Sequence, residues 1–351
     1  MNSRNLIVLL MSVFFITLIG AFVWVNSNRP QILVIHSYNT DYSWTRDVNV
    51  GIERVTQGVS WVRLRYHYMN VKSATSDAKR RAGIAARKAI DNIRPEVVVA
   101  IDDAAQKLAA SHYVNAPDLN IVFVGLNGSA KPYGYDQASN VTGIFERKPA
   151  AALRGAMLLL APSVGVHPDQ GERVRATMLV DSTLSAKRDG EYLKGFEWDP
   201  VDLLDVIYVH DFETWKTKVM ALKGRTDFLL VGAYRHLKKT KNSPESSKSI
   251  SPKIVMGWTE KNSPVPVLGS NVFNTQDGAM LSVGVSPYEQ GETGMRMAFD
   301  IIERKISPDK IPRRISQQSV ISLRRSALER RGMEVPRIFE SFARATNNYF
   351  D

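Results

Sequence analysis

Cysteine is missing from all 351 residues. That absence excludes disulfides, zinc–thiolate centres, cysteine nucleophiles and a lipid-modified N-terminal cysteine as a membrane anchor. Other signatures are missing too. No Walker loop or Gly-x-Gly-x-x-Gly opens the first helical pattern, no Gly-x-Ser-x-Gly surrounds Ser37, and no His/Asp spacing suits a metal. His36, Ser37 and Asp102 are the residue types of a triad, but adjacent His and Ser do not form a nucleophile–base arrangement. The chain therefore reads as a non-enzyme with no cofactor and no metal. A helix-turn-helix ahead of the first strand is also lacking, so nucleic acid is not an expected partner. Acidic residues are the minority, 35 against 46 Lys and Arg, which gives a formal charge of +11. Much of that excess falls in loops and the C-terminal tail and reads as a solvated basic surface.

One long apolar run is present. Leu6–Val25 is uncharged and about as long as a bilayer core. Arg4 precedes it, so the positive-inside rule places the N-terminus in the cytoplasm and the remainder outside. The run exceeds the apolar length of a signal peptide and has no small-x-small cleavage site, which favours an uncleaved anchor over a cleaved export signal. The expected location is the inner membrane, single-pass, with the soluble domain in the periplasm; the alternative is a soluble periplasmic protein after cleavage. Residues 1–30 form this N-terminal segment.

The remainder is organised around residues 31–44. Ile32–Ile35 is an unbroken apolar run that predicts a strand buried on both faces. It stops at His36-Ser37-Tyr38, and a helical pattern follows from Trp44. The same alternation continues with strands over Trp61–Tyr68, Glu96–Ile101, Asn120–Val124 and Val141–Phe145, and helices over Thr75–Ile93 and Asp103–Tyr113. It restarts with a helix over Pro149–Leu160, opened by proline. Strands then follow over Arg175–Val180, Leu204–Val209, Asp227–Val231, Lys253–Met256 and Val265–Leu268. Arg235–Pro252, rich in lysine and serine, predicts a mobile surface loop. A helix over Pro287–Glu303, a strand over Gln317–Ile321 and a helix over Leu323–Arg331 complete the pattern, and Arg337–Asp351 is weakly patterned. Alternation of this kind implies α/β architecture with two Rossmann-like lobes built on parallel sheets.

Several segments in succession resemble the periplasmic substrate-binding proteins of ABC transporters, of the type I two-lobe fold. They are Ile32-Leu-Val-Ile-His-Ser-Tyr38 with Trp44, Val97–Asp103, Ile121-Val-Phe-Val-Gly-Leu-Asn-Gly128 and Val141-Thr-Gly-Ile-Phe-Glu146. Gly278-Ala-Met-Leu-Ser-Val-Gly-Val-Ser-Pro-Tyr-Glu-Gln-Gly291, Lys310-Ile-Pro312 and Arg330-Arg-Gly-Met-Glu-Val-Pro336 extend the likeness. The branch it resembles includes the tryptophan- and tyrosine-type binding proteins. The resemblance implies a hinge with three crossings, one lobe from 31–145 plus 283–309 and the other from 146–282 plus 310–351. It implies a small-molecule ligand and a membrane-embedded permease as partners. A retained anchor instead suits a tethered sensing or docking subunit that signals through a separate membrane protein, such as a sensor kinase or cyclase.

Ligands of such sheets collect at the carboxyl ends of the strands. The candidates there are His36, Ser37, Tyr38, Trp44, Asp102, Asp103, Asn127, Gly128, Glu146, Asp181, Ser182, Tyr234, Trp258 and Asn271. Ser37, Asn127 and Ser182 are natural donors. Asp102 or Asp103 either grips a ligand ammonium or serves the helix start. His36 contacts ligand or is bonded internally, and Tyr38, Trp44 and Trp258 stack on ligand or pack on the lobe.

Overall fold

The computed structural model describes residues 3–72, 74–244 and 247–351. The first helix, α1 (Ser3–Ser27), contains the apolar run. Every side chain from Leu10 to Trp24 is exposed. The side chains of Leu6, Val8, Leu9 and Val25, part of the expected anchor, lie outside the described residues. Over the described residues alone, no helix is long and apolar enough to cross a membrane.

The chain then alternates as expected: β1 (Gln31–His36), α2 (Ser43–Thr56), β2 (Arg63–Tyr68), α3 (Ser76–Ile93), β3 (Val97–Ile101), α4 (Asp102–Leu108), β4 (Asn120–Leu126) and β5 (Val141–Phe145). It continues through α5 (Ala150–Leu160), β6 (Val174–Asp181), α6 (Leu184–Lys194), β7 (Val201–Val209), α7 (Phe212–Met220), β8 (Phe228–Val231), α8 (Pro252–Asn262) and β9 (Val267–Gly269). The last elements are α9 (Val272–Asp277), β10 (Leu281–Val285), α10 (Pro287–Ile302), β11 (Arg314–Ile315), β12 (Ser319–Arg324), α11 (Arg325–Arg331), α12 (Arg337–Ala345) and β13 (Tyr349–Phe350). The chain divides into two units, one running through Phe145 together with Gln290–Arg314, the other Glu146–Glu289 with Ile315–Asp351.

In the first unit the sheet order is β11-β5-β4-β3-β1-β2, and β1 to β5 pair in parallel. Alternate residues of β1 serve opposite cores. Ile32 and Val34 pack with Val48 and Ile52 of α2 and with Met295 and Ala298 of α10, whereas Leu33 and Ile35 pack with Ala86 and Ile90 of α3. Both faces are covered, which is why the strand reads as a continuous apolar run. Helix α10 fits because Gly291 has no side chain: a Cβ there would lie 2.1 Å from the Val48 carbonyl oxygen.

The second unit has the sheet order β13-β12-β10-β9-β8-β6-β7. Leu281–Val285 pairs with β9 and, antiparallel, with β12, so β10 belongs to this sheet. Lys253–Met256 is helical rather than extended. Pro252 sits in the first turn with its φ preset, and Val255, Met256 and Thr259 bury one helical face. Four apolar-biased residues were too few to distinguish the two periods. Of the expected mobile loop Arg235–Pro252, residues 245–246 lie outside the described residues; in the rest, Leu237 is fully buried, Lys238 N donates to the His210 carbonyl (3.0 Å) and Ile250 N to that of Leu237 (2.9 Å). Arg337–Asp351 also acquires order, because α12 buries Phe339 and Ala343 while Tyr349 and Phe350 pair with the end of β12.

Candidate functional site

The parallel strands of the first unit bring the loops after β1, β3, β4 and β5 to one edge. At the end of β1, His36 is fully buried with its ring stacked on Tyr68 at 5.0 Å and 8°. Tyr66 continues the stack, 6.2 Å from Tyr68. His36 Nε2 lies 2.8 Å from Asn49 Oδ1, and Asn49 Nδ2 donates to the Tyr68 hydroxyl at 3.1 Å. This network assigns the proton to Nε2 and leaves Nδ1 as an acceptor. Burial pushes the imidazole pKa down to about 4, with the Asn49 bond opposing, so the ring is neutral at physiological pH. His36 Nδ1, Trp44 Nε1 and Thr45 Oγ1 are buried without a hydrogen-bond partner among the described residues. Buried polar atoms left in this way cost stability, so their clustering on β1 and the first turn of α2 calls for an explanation.

Asp102 opens α4 in the left-handed region, at φ +67°, and is almost wholly buried. That backbone is uncommon outside glycine and concentrates at ligand-binding positions. Across from it, Gly125 has φ +66°. A Cβ at Gly125 would lie 3.0 Å from Asp102 Oδ1 and 3.6 Å from Trp44 Cζ2, so these three residues meet closely. Gly125 N donates to Gln290 Oε1 at 2.8 Å, which ties the loop to the first turn of α10.

Other predicted residues of this unit build the rim. Ser37 Oγ donates to the Ile101 carbonyl (2.7 Å) and accepts from Ala105 N (2.8 Å), joining the end of β1 to α4. Asp103 accepts the Tyr133 hydroxyl at 2.7 Å and Asn127 Nδ2 at 3.1 Å, closing the loop that contains buried Gly128. The bonds of the Asp103 carboxylate go to Tyr133 and Asn127 rather than to the start of α4. Tyr38 meets Tyr42 edge-on at 5.1 Å, and Lys72 Nζ lies 4.4 Å from both ring centroids while donating to the Tyr42 hydroxyl. The rings are thus already engaged by a cation from the chain itself.

The second unit places its predicted residues differently. Asp181 Oδ1 accepts Thr183 N and Oγ1 (3.1 and 2.5 Å), and Oδ2 accepts His236 N (3.3 Å). Burial raises its carboxyl pKa, but hydrogen bonds from His236 and Thr183 outweigh that and hold it below the ordinary value. Ser182 Oγ lies 3.5 Å from His210 Nδ1. Glu146, at the start of the unit, is half-buried. Asn271 caps α9 reciprocally with Asn274, and its Oδ1 accepts from Lys148 Nζ at 2.6 Å. Two expectations are corrected. Tyr234 is fully buried in the core and donates to Asp277 at 2.7 Å, so its ring is not at the rim. Trp258 lies within α8, edge-on to Phe212 at 5.9 Å, because its segment is helix rather than a strand end.

Asn49, Thr45, Tyr68, Gln290 and Lys148 were not among the expected site residues. Tyr66 and Tyr68 carried a signal, alternate aromatic positions at the end of a predicted strand, and Gln290 lay inside the C-terminal signature. Lys148 carried none. Among the described residues no cluster of His, Asp and Glu has the composition of a metal site.

No protein-family model matches the chain, and no curated protein matches it. Solved structures do. A ligand-free, open substrate-binding protein with adhesive properties from Clostridium difficile is 13% identical with a TM-score of 0.64, over 88% of this chain and 96% of that one. A conserved domain protein from Vibrio cholerae is 13% identical with a TM-score of 0.58, over 92% and 100%. An ABC domain in complex with L-Trp from Streptococcus pneumonia is 14% identical with a TM-score of 0.56, over 90% and 98%. The chain therefore has the α/β fold of the type I periplasmic substrate-binding proteins of ABC transporters.

Proposed function

We propose that the chain is an extracytoplasmic solute-binding protein. It takes a small polar or zwitterionic molecule at the strand-end loops of its first unit and presents it to a membrane-embedded permease, without chemistry. The observation that carries this reading is the set of orphaned buried atoms, His36 Nδ1, Trp44 Nε1 and Thr45 Oγ1, on the same strand-end edge as the left-handed Asp102. An acceptor, a donor and a hydroxyl suit a ligand that carries polar groups of both kinds, and the Asp102 carboxylate suits an ammonium. The same kind of fold in the pneumococcal neighbour holds L-Trp, which supports an amino acid or a similar zwitterion.

The reading includes an inner-membrane anchor with the soluble units in the periplasm. The apolar run over Leu6–Val25 supports it, as do the exposed side chains of α1, with Phe14 at 61%, Ile16 at 70% and Trp24 at 68%. Arg63 Nη2 donates to the Asn26 carbonyl at 2.7 Å, so α1 is followed closely by the first sheet. N-terminal sequencing of the mature protein from membranes tests the anchor; a start near Asn28 in a soluble fraction defeats it.

Calorimetry on the full chain in neutral detergent, against a pool of amino acids and related metabolites, tests the binding function. Asp102→Asn keeps a residue that tolerates the left-handed backbone and removes only the charge. It should weaken a cationic or zwitterionic ligand roughly ten- to a hundred-fold, the worth of a charge-assisted hydrogen bond. Unchanged affinity overturns the assignment of Asp102. The second reading, a tethered sensing or docking subunit acting through a sensor kinase or cyclase, is favoured by Lys72. Its ammonium occupies the aromatic pair Tyr38 and Tyr42, where a ligand cation would otherwise stack. The docking form of that reading predicts no small-molecule heat, whereas the sensing form predicts heat and a signalling partner in place of a permease.

A further inference from the structure

The second unit has another concavity, at the edge where β10 begins, lined by Lys253, Gly257 and Glu260 of α8, Gln276 and Asp277 at the end of α9 with Gly278 after it, and Arg324, Ser326 and Arg330. Its volume is about 330 Å³, within the roughly 300–1,000 Å³ span of small-molecule sites. Charge bookkeeping distinguishes it from an ordinary basic surface. Both carboxylates in its wall are consumed by cations outside the lining. Glu260 pairs with Arg331, and its Oε2 also accepts Met280 N at 2.9 Å. Asp277 accepts Arg235 Nη2 at 2.8 Å and the Tyr234 hydroxyl at 2.7 Å. Arg324 is held in place through Nε and Nη2 by the carbonyls of Thr275 and Gln276 and through Nη1 by the main-chain oxygen of Asp351, at 2.5 Å. Lys253 and Arg330 are exposed and make no close ion pair among the described residues; Arg330 acts on Glu260 only through space. Three cations from three elements thus converge on one concavity whose negative groups are already neutralised.

We infer that this groove binds a phosphate-bearing anion. Cations arriving from different directions match a tetrahedral, multiply charged oxyanion better than a planar carboxylate; the exposed Arg330 guanidinium offers paired donors to phosphate oxygens, and Arg324, whose donors are largely taken by backbone oxygens, adds charge. The Ser326 hydroxyl and the Gln276 amide supply uncharged polar groups in the same wall. The site is separate from the strand-end loops and does not rest on the solute-binding reading.

The phosphate could belong to a soluble metabolite or to a lipid headgroup, and two titrants separate these sources. The full chain, reconstituted in phosphatidylcholine nanodiscs at low salt, is titrated calorimetrically with inorganic phosphate and with soluble dihexanoyl phosphatidate. Similar affinities for both identify the phosphate group itself as the ligand; tighter binding of phosphatidate identifies a lipid headgroup. The double substitution Lys253→Gln, Arg330→Gln should weaken binding roughly ten- to a hundred-fold, and each single substitution should give an intermediate loss. Arg337→Gln, an exposed cation outside the lining, should change nothing. Both replaced side chains are exposed, and an unchanged melting curve confirms that the double variant folds. Absence of saturable binding by either titrant, or wild-type affinity in the double variant, overturns the inference.

Discussion

The strand-end loops of the two units differ in how their polar groups are satisfied. In the first unit, buried donors and acceptors around His36, Trp44 and Thr45 are left without partners beside an Asp102 in left-handed backbone. In the second, Asp181, Asn271 and Tyr234 are each bound to neighbours of their own chain, through Thr183 and His236, through Lys148 and Asn274, and through Asp277. Its orphaned atoms, Arg235 Nε and Ser322 Oγ, are not among the expected site groups. The first unit also has bonded groups, Ser37, Asp103 and Asn127, so the units differ in where unpartnered atoms fall: beside the end of β1 in the first, away from the expected site groups in the second. A saturated network stabilises and specifies a fold, whereas an unsaturated one sacrifices stability and gains a surface that a ligand can complete.

The difference can be broken first with acid. The folded pKa of His36 is about 4 against 6.5 for the ordinary group, so the unfolded chain takes up this proton first as pH falls. Stability contributed by neutral His36 is complete above pH ~6.5 and is lost towards pH ~4, by up to about 3 kcal/mol. Asp181 behaves oppositely in origin and later in pH. Its folded pKa is depressed, so its contribution persists down to the ordinary carboxylate value and is lost only below it. Hydrogen exchange between pH 7 and 4 should therefore loosen the first unit before the second. His36→Gln should flatten that part of the profile, leaving the smaller share of His67, which burial also lowers.

The second unit's network is the next target. Asp277→Ala strands the buried Tyr234 hydroxyl and the partly buried Arg235 guanidinium, at a cost of about 2–3 kcal/mol in urea denaturation. Ligand affinity at the first unit's loops should not follow it; a parallel loss would show that the two edges are not independent.

One substitution in the first unit should move stability and binding in opposite directions. Thr45→Val removes a buried hydroxyl that has no partner among the described residues, and should stabilise the ligand-free protein by about 1–2 kcal/mol while weakening ligand. If the variant is less stable than the parent in thermal melts without ligand, that hydroxyl is already satisfied and the contrast between the units weakens.

Much of the fold was legible because its strands are buried on both faces. Ile32–Ile35 and Val97–Ile101 read as continuous apolar runs whose stable place is a covered parallel sheet, and the polar residues that follow them mark the strand ends. Short segments were not legible. Lys253–Met256 fits either period, and only its packing on the second unit's core selects the helix. The weakly patterned tail became ordered because Phe339 and Ala343 find a core and Tyr349 finds the end of β12.

By itself, the sequence determined the alternation of strands and helices, the absence of cysteine chemistry, the apolar N-terminal run and which loops end the strands. Periodicity along the chain carries that information, because burial of a face is a local pattern. Tertiary structure alone decided which polar groups are satisfied. Asp103 meets Asn127 across 24 residues, Lys148 meets Asn271 across 123 and Gly125 meets Gln290 across 165. No window of sequence contains both partners of such a bond. A tyrosine bound for the core and one bound for the rim therefore look alike until the chain has folded.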